Sequence, residues 1–166
     1  MKLLFALTTT LFLYSIAAAQ PRRYNIESNE LKTALPVSFR AGTDIIEPSS
    51  DSALNEVKSY LTDKKAITLL RIEGHVAAGG DENKTLALTK SRAMAVAKWL
   101  VKNGVDPARI IAVAFGSTKP VADNSTPEGK ALNTRISFIN AGMLNRAIGG
   151  MPVDGGGQVV CNPCTF

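Results

Sequence analysis

The chain has 166 residues, 45% of them hydrophobic and 20% charged, which leaves room for one cored domain plus extensions. A formal net charge of +5 suits anionic partners but is too modest to imply nucleic acid. One histidine and two cysteines exclude a metal centre built on soft ligands, and no cofactor is expected.

Residues 1–19 read as a secretory leader. Lys2 gives a charged start, Leu3 to Ile16 are apolar or hydroxylic, and Ala17-Ala18-Ala19 form a small-residue cleavage site before Gln20. The run is too short and too rich in threonine for a membrane span. Cleavage would remove Lys2 and no acid, so the charge falls by one, from +5 to +4. No cysteine follows the site, so no lipid anchor is expected, and the exported chain belongs in the periplasm or beside the outer membrane. The rest lacks the alternating segments of about ten residues that a membrane barrel needs.

Residues 20–35 are polar and read as a linker. Pro36 to Arg40, with Val37 and Phe39 alternating, predicts a first strand. Hydroxyl and carboxylate groups at 49–51, followed by Leu54, Val57 and Leu61, predict a helix from Ser50 to Thr62. Ala66 to Glu73 predicts a second strand, with Leu70 and Ile72 towards the helices. Gly74 ends it.

The second helix is expected from Asn83 to Asn103, because Gly104 suits a left-handed terminator and Pro107 blocks continuation. Ile110 to Phe115 is nearly all apolar and predicts a strand covered on both faces. A polar loop and a short helical turn at 130–133 lead to a last strand, Arg135 to Asn140. Residues 141–166 form a glycine-rich tail outside the domain. The expected class is α+β, a small mixed sheet with two main helices on one face.

Several of these residues together resemble a known family. Gly74-His75, Leu88-Thr89, Arg92-Ala93 and Val96, followed by Gly116, Pro120, Gly129 and Asn133-Thr134-Arg135-Ile136, are similar to the OmpA-like C-terminal domain of bacterial cell envelopes. The resemblance covers Pro36 to Asn140. It implies an OmpA-like fold and a non-catalytic module that binds peptidoglycan.

In that family a cleft grips a diamino acid of the wall peptide, with a carboxylate for its ammonium and arginines for its carboxylates. The resemblance puts Arg92, Thr85, Leu88, Asn133, Arg135 and Ala77 at ligand positions. Three of the family's polar contacts are altered. Its Thr-Asp is Val76-Ala77, its loop asparagine is Thr85, and the first arginine of its Asn-Arg-Arg-Val is Thr134. Asp81 and Glu82 are the nearby acids that could replace the missing carboxylate.

Two other chemistries fail. His75 has no nucleophile-elbow Gly-x-Ser-x-Gly to serve, so a strand-end histidine is the better reading than a hydrolase base. Cys161-Asn-Pro-Cys164 lacks the strand-to-helix setting of a catalytic dithiol, and a local disulfide that adds little to domain stability is expected instead. The expected function is therefore a non-enzymatic envelope module that contacts the peptidoglycan stem peptide weakly or atypically. The alternative is a scaffold on the same fold that has lost wall binding and engages outer-membrane or periplasmic proteins.

Overall fold

The computed structural model describes residues 23–150 and 154–166, so the leader expected at 1–19 lies outside the described residues. The strands are β1 (Asn25–Glu27), β2 (Glu30–Lys32), β3 (Ile67–His75), β4 (Ile110–Gly116), β5 (Arg135–Met143), β6 (Arg146–Ala147) and β7 (Gln158–Cys161). The helices are α1 (Asp51–Asp63), α2 (Glu82–Lys102) and α3 (Pro127–Asn133). The strands form one seven-stranded sheet in the order β1-β2-β5-β3-β4-β7, with β6 paired to β5. β3 and β4 are parallel and joined through α2, whereas β5 runs antiparallel to β3. The sheet is therefore mixed, as the α+β expectation required.

The main core lies between the sheet and the two long helices. Leu70 and Ile72 of β3, Ile110 and Ala112 of β4 and Phe138 of β5 meet Leu54, Val57 and Leu61 of α1 and Ala93, Val96 and Leu100 of α2. The helical spacing in both segments presents one apolar stripe to one apolar sheet face. Asp81 caps α2 by accepting a hydrogen bond from Lys84 N at 3.0 Å, and Gly104 with φ +93° closes its other end.

Three expectations are corrected. First, residues 25–32 of the presumed linker form the β1–β2 hairpin, and β2 pairs with β5. Leu31, only 1% exposed, sits opposite Phe138 and supplies the burial that a polar reading missed.

Second, 36–40 does not extend a ladder. Among the described residues its only sheet-like contact is an isolated bridge between Phe39 and Ile46. Ser50 takes the place of a strand partner, accepting from Ser38 N at 2.8 Å and donating to Ser38 O at 3.0 Å.

Third, the tail is part of the fold. β5 continues to Met143, a turn with positive φ at Leu144 and Asn145 leads into β6, and β7 adds to the edge of β4. Cys161 and Cys164 are disulfide-bonded, as expected, but Cys164 is fully buried within the main core.

The tail also touches the sheet face away from the helices. There Ile111, Val113 and Phe115 form a second, smaller core, so β4 is buried on both faces. Arg71 of β3 donates to the carbonyls of Gly149 and Gly150 at 2.9 and 3.2 Å. Thr118 donates to Gly155 O at 2.8 Å.

Candidate ligand cleft

The first turns of α2 are drawn tightly onto the ends of β3 and β4. A side chain at Gly74 would place its Cβ 2.6 Å from the Thr89 carbonyl oxygen, so only glycine permits this approach. The buried Thr89 hydroxyl accepts from Gly116 N at 3.1 Å and donates to Leu86 O at 3.0 Å. The Gly74 and Thr89 positions thereby set the height of α2 over the sheet, and with it the position of Arg92 one turn later.

Arg92 lies in a cleft of about 350 Å³ whose walls include Phe39, Ala131, Thr134 and Arg135. Its guanidinium carbon stands 4.8 Å from the centroid of the Phe39 ring, and Nε donates to the Thr43 carbonyl at 2.8 Å. That bond uses one edge of the planar fork and leaves the Nη groups for a second partner. Burial pushes the Arg92 pKa down, opposed by the charge of Asp44.

Arg135 shares the cleft. Its own bonds, to Asn133 O and Lys119 O, are both long at 3.4 Å. Burial lowers its pKa as well, against the charges of Glu30 and Glu73.

Two of the three altered positions touch one another. Ala77 N donates to the Thr134 hydroxyl at 3.2 Å, and that hydroxyl donates to Lys130 O at 3.0 Å. Ala78 N donates to Asn124 Oδ1 at 3.0 Å, which ties the β3–α2 loop to the segment before α3.

The remaining expected ligand residues are not gathered here. Asn133 is 1% exposed and its amide is saturated: Oδ1 accepts from Val121 N and Ala122 N, and Nδ2 donates to Ala122 O and Asn124 Oδ1. It holds the loop before α3 and has no capacity left for a ligand. Thr85 donates to Glu82 O and borders a separate cleft of about 270 Å³ with Glu82, Ser117 and Gln158. Leu88 is partly buried on α2 and does not line the Arg92 cleft. Neither of the two acids considered as replacements lines the Arg92 cleft: Asp81 caps α2, and Glu82 borders the other cleft.

On the face away from the helices, β3 carries an ionic cluster that its sequence did not single out. Arg71 Nε lies 2.7 Å from Glu73 Oε1, while His75 Nε2 and Lys119 Nζ approach Glu73 Oε2 at 3.2 and 3.3 Å. Burial pushes the Glu73 carboxyl up, but the hydrogen bond to His75 and the charges of Arg71 and Lys119 outweigh it and hold the pKa at about 2. Burial pushes His75 down, with the Glu73 hydrogen bond opposing, so the imidazole is neutral at pH 7. It stacks on Phe115 at 5.1 Å, and among the described residues its Nδ1 has no hydrogen-bond partner. His75 thus has the Glu73 carboxylate beside it, and among the described residues no hydroxyl or thiol is hydrogen-bonded to its ring.

The match to the OmpA family model runs over residues 38–134, more than half of the chain. This chain belongs to the OmpA family. Among relatives of this OmpA-family chain, outer membrane porin F of Pseudomonas fluorescens is 33% identical over 106 residues, which are 64% of this chain and 32% of that protein. The peptidoglycan-binding protein ArfA of Mycobacterium bovis is 35% identical over 109 residues, 64% of this chain and 32% of its own. The outer-membrane lipoprotein YfiB of Pseudomonas aeruginosa is 32% identical over 126 residues, 75% of this chain and 74% of its own. Against the first two relatives, then, the chain spans about a third of their length.

Among solved structures, the peptidoglycan-associated lipoprotein of Burkholderia pseudomallei matches with a TM-score of 0.56 at 27% identity, covering 65% of this chain and 89% of that one. The periplasmic domain of Helicobacter pylori MotB shares the fold, with a TM-score of 0.55 at 21% identity over 63% of this chain and 71% of its own. Among the described residues, no helix of this OmpA-family chain is long and apolar enough to cross a membrane.

Proposed function

We propose that the chain is a non-catalytic module of the cell envelope that contacts peptidoglycan through carboxylates of the stem peptide, more weakly than a cleft with an acid at position 77 would. The observation that carries this reading is the Arg92 guanidinium, stacked on Phe39, with one edge used by Thr43 and the other left for a ligand beside Arg135. Two guanidiniums in one partly buried cleft suit paired or adjacent carboxylates, because a charge-assisted fork is strongest where water is scarce. Membership of the OmpA family, and relatives named for peptidoglycan binding or association, support the same ligand. The leader at 1–19 would deliver the module to the periplasm by cleavage at Ala19-Gln20, and intact mass of the exported protein tests that step.

Calorimetric titration with a peptide containing diaminopimelate tests the cleft. Weak, salt-sensitive binding is expected, with a loss of about tenfold or more in Arg92→Ala. Ala77→Asp should strengthen binding, and adding Thr134→Arg should strengthen it further by returning both charges. Tight binding that ignores Arg92→Ala removes this reading, as does a double variant that binds nothing.

The bond between Ala77 N and the Thr134 hydroxyl favours a second reading, because it closes two of the altered positions onto each other. On that reading the module is a scaffold for outer-membrane or periplasmic proteins. Sedimentation with isolated sacculi separates the two.

A further inference from the structure

The end of the sheet away from the Arg92 cleft carries a hairpin that is exposed throughout. β3 fixes the two ends, with His75 opposite Arg135 beside the cleft and Ile67 opposite Met143 about 25 Å away, nine residues at the rise of an extended strand. Beyond Met143 the chain turns through Leu144 and Asn145 into β6, and every residue from 143 to 148 is exposed.

Leu144 is out of place at this tip on two counts. It has φ +49° and is followed by Asn145 at φ +61°, a two-residue hairpin turn that ordinarily takes Asn or Gly because other side chains crowd the backbone carbonyl there. It is also 70% exposed, with Met143 and Ile148 exposed beside it. Neither local conformation nor burial within the chain accounts for a leucine here. The turn is nonetheless well held: Leu144 N donates to Ala66 O at 2.8 Å, and Asn145 N donates to the Thr68 hydroxyl at 3.1 Å. Both amides at the tip can therefore leave water without losing a partner.

Cations flank the tip. Arg146 follows it, and Lys64 and Lys65 precede the carbonyl that holds Leu144. Arg109 is drawn across the same segment, its Nε and Nη2 donating to Ile67 O at 3.2 and 2.7 Å. Lys65, Arg109, Thr68 and Asn145 share a hollow of about 470 Å³. The flanking acids are engaged, Asp63 by the Tyr24 hydroxyl and Asp106 by Ala108 N. An exposed aliphatic tip among cations is complementary to an anionic bilayer, whose phosphates overlie hydrocarbon. We infer that this end of the domain docks on an anionic phospholipid surface, with Leu144 entering between headgroups while Lys64, Lys65, Arg109 and Arg146 meet the phosphates. The contact is weak by itself, since one leucine buries little area and salt screens exposed cations. It is independent of the cleft at the other end, so a membrane and a cleft ligand can be held together.

The test is cosedimentation of the protein recovered after export with vesicles of phosphatidylcholine and phosphatidylglycerol, and with vesicles of phosphatidylcholine alone. Salt-sensitive binding to the anionic vesicles is expected, with about tenfold less on the neutral ones. Leu144→Asn should weaken it about fivefold and raise the melting temperature, because asparagine suits the turn. Lys65→Glu with Arg146→Glu should abolish it, and neither variant should change peptide binding at the cleft. A chain that ignores anionic vesicles, or that binds them equally well in both variants, overturns the inference. So does a dimer lost in Leu144→Asn without vesicle binding, which would give the tip to a second copy.

Discussion

Leu70 and Ile72 of β3 lie beneath α1 and α2, whereas Arg71, Glu73 and His75, each one residue along, lie on the opposite side of the sheet, and all five are buried. The first set meets only hydrocarbon. The second set forms an ionic cluster beneath the glycine-rich tail. One strand thus has two interiors of different chemistry. The apolar side draws its stability from area removed from water, to which each contact adds a little. The ionic side is stable only while each charge keeps its partners, so it responds steeply to the loss of any one.

The contrast breaks hardest at Glu73. Glu73→Ala should cost about 3–5 kcal/mol in urea denaturation, because it leaves Arg71 buried without its carboxylate. Leu70→Ala, on the apolar side, should cost about 3 kcal/mol. Replacing both members of the pair, Arg71→Met with Glu73→Leu, should recover much of the first loss. No second substitution should rescue the cavity left at Leu70. A Glu73→Ala variant as stable as the native chain would show that the cluster contributes nothing.

Acid sharpens the same difference, since it acts on one side of the sheet only. Both Glu73 and His75 have folded pKa values below their ordinary 4.5 and 6.5, so each contributes stability that is present above the ordinary value and lost as pH falls. Stability should begin to decline below pH 6.5 as His75 resists protonation. It should decline further from about 4.5 towards 2 through Glu73, which accounts for about 3 kcal/mol. His75→Gln should flatten the upper part of the profile and leave the lower part in place.

Smaller effects test whether the tail is a working cover. Cys164→Ser should lower stability by about 1–2 kcal/mol in thermal unfolding, because it opens the three-residue disulfide loop, which itself adds little, and puts a hydroxyl into a fully buried core position. A tail outside the domain would show no change. Gly149→Ala would bring a Cβ to 2.5 Å from the Asn140 carbonyl oxygen, so the tail must shift. Hydrogen exchange should then quicken in β7, at a cost of about 1 kcal/mol, while the amides of α2 keep their protection.

Much of the frame was legible because it rests on local rules. Helical spacing, the Gly104 terminator and the all-apolar β4 each report short-range physics, and the bounds of α1 and α2 were met within one residue, whereas the Asp81 cap was not read and α3 begins three residues before the expected turn. Of the residues lining the cleft, Arg92 and Arg135 were named by resemblance, as proposed ligand residues. Phe39 and the Thr43 carbonyl were not, because no spacing rule links a turn to a helix some fifty residues later. The engagement of the Asn133 amide was illegible for a related reason: whether an amide is free or saturated depends on loops that fold around it.

The sequence by itself determined the sandwich of α1 and α2 on one sheet face and the family that this order of motifs implies, since amphipathic periods and close-approach glycines act within a segment or between neighbours. Only the tertiary structure decided what lies on the other face. Arg71, Glu73 and His75 alternate with apolar residues just as a solvent-facing row would, and nothing local distinguishes the two cases. The tail and the β1–β2 hairpin reach the sheet through partners on distant strands, Gln158 beside Ala114 and Leu31 beside Phe138. A polar or glycine-rich segment is unreadable alone because its stability comes from the surface it covers, and that surface exists only once the rest of the chain has folded.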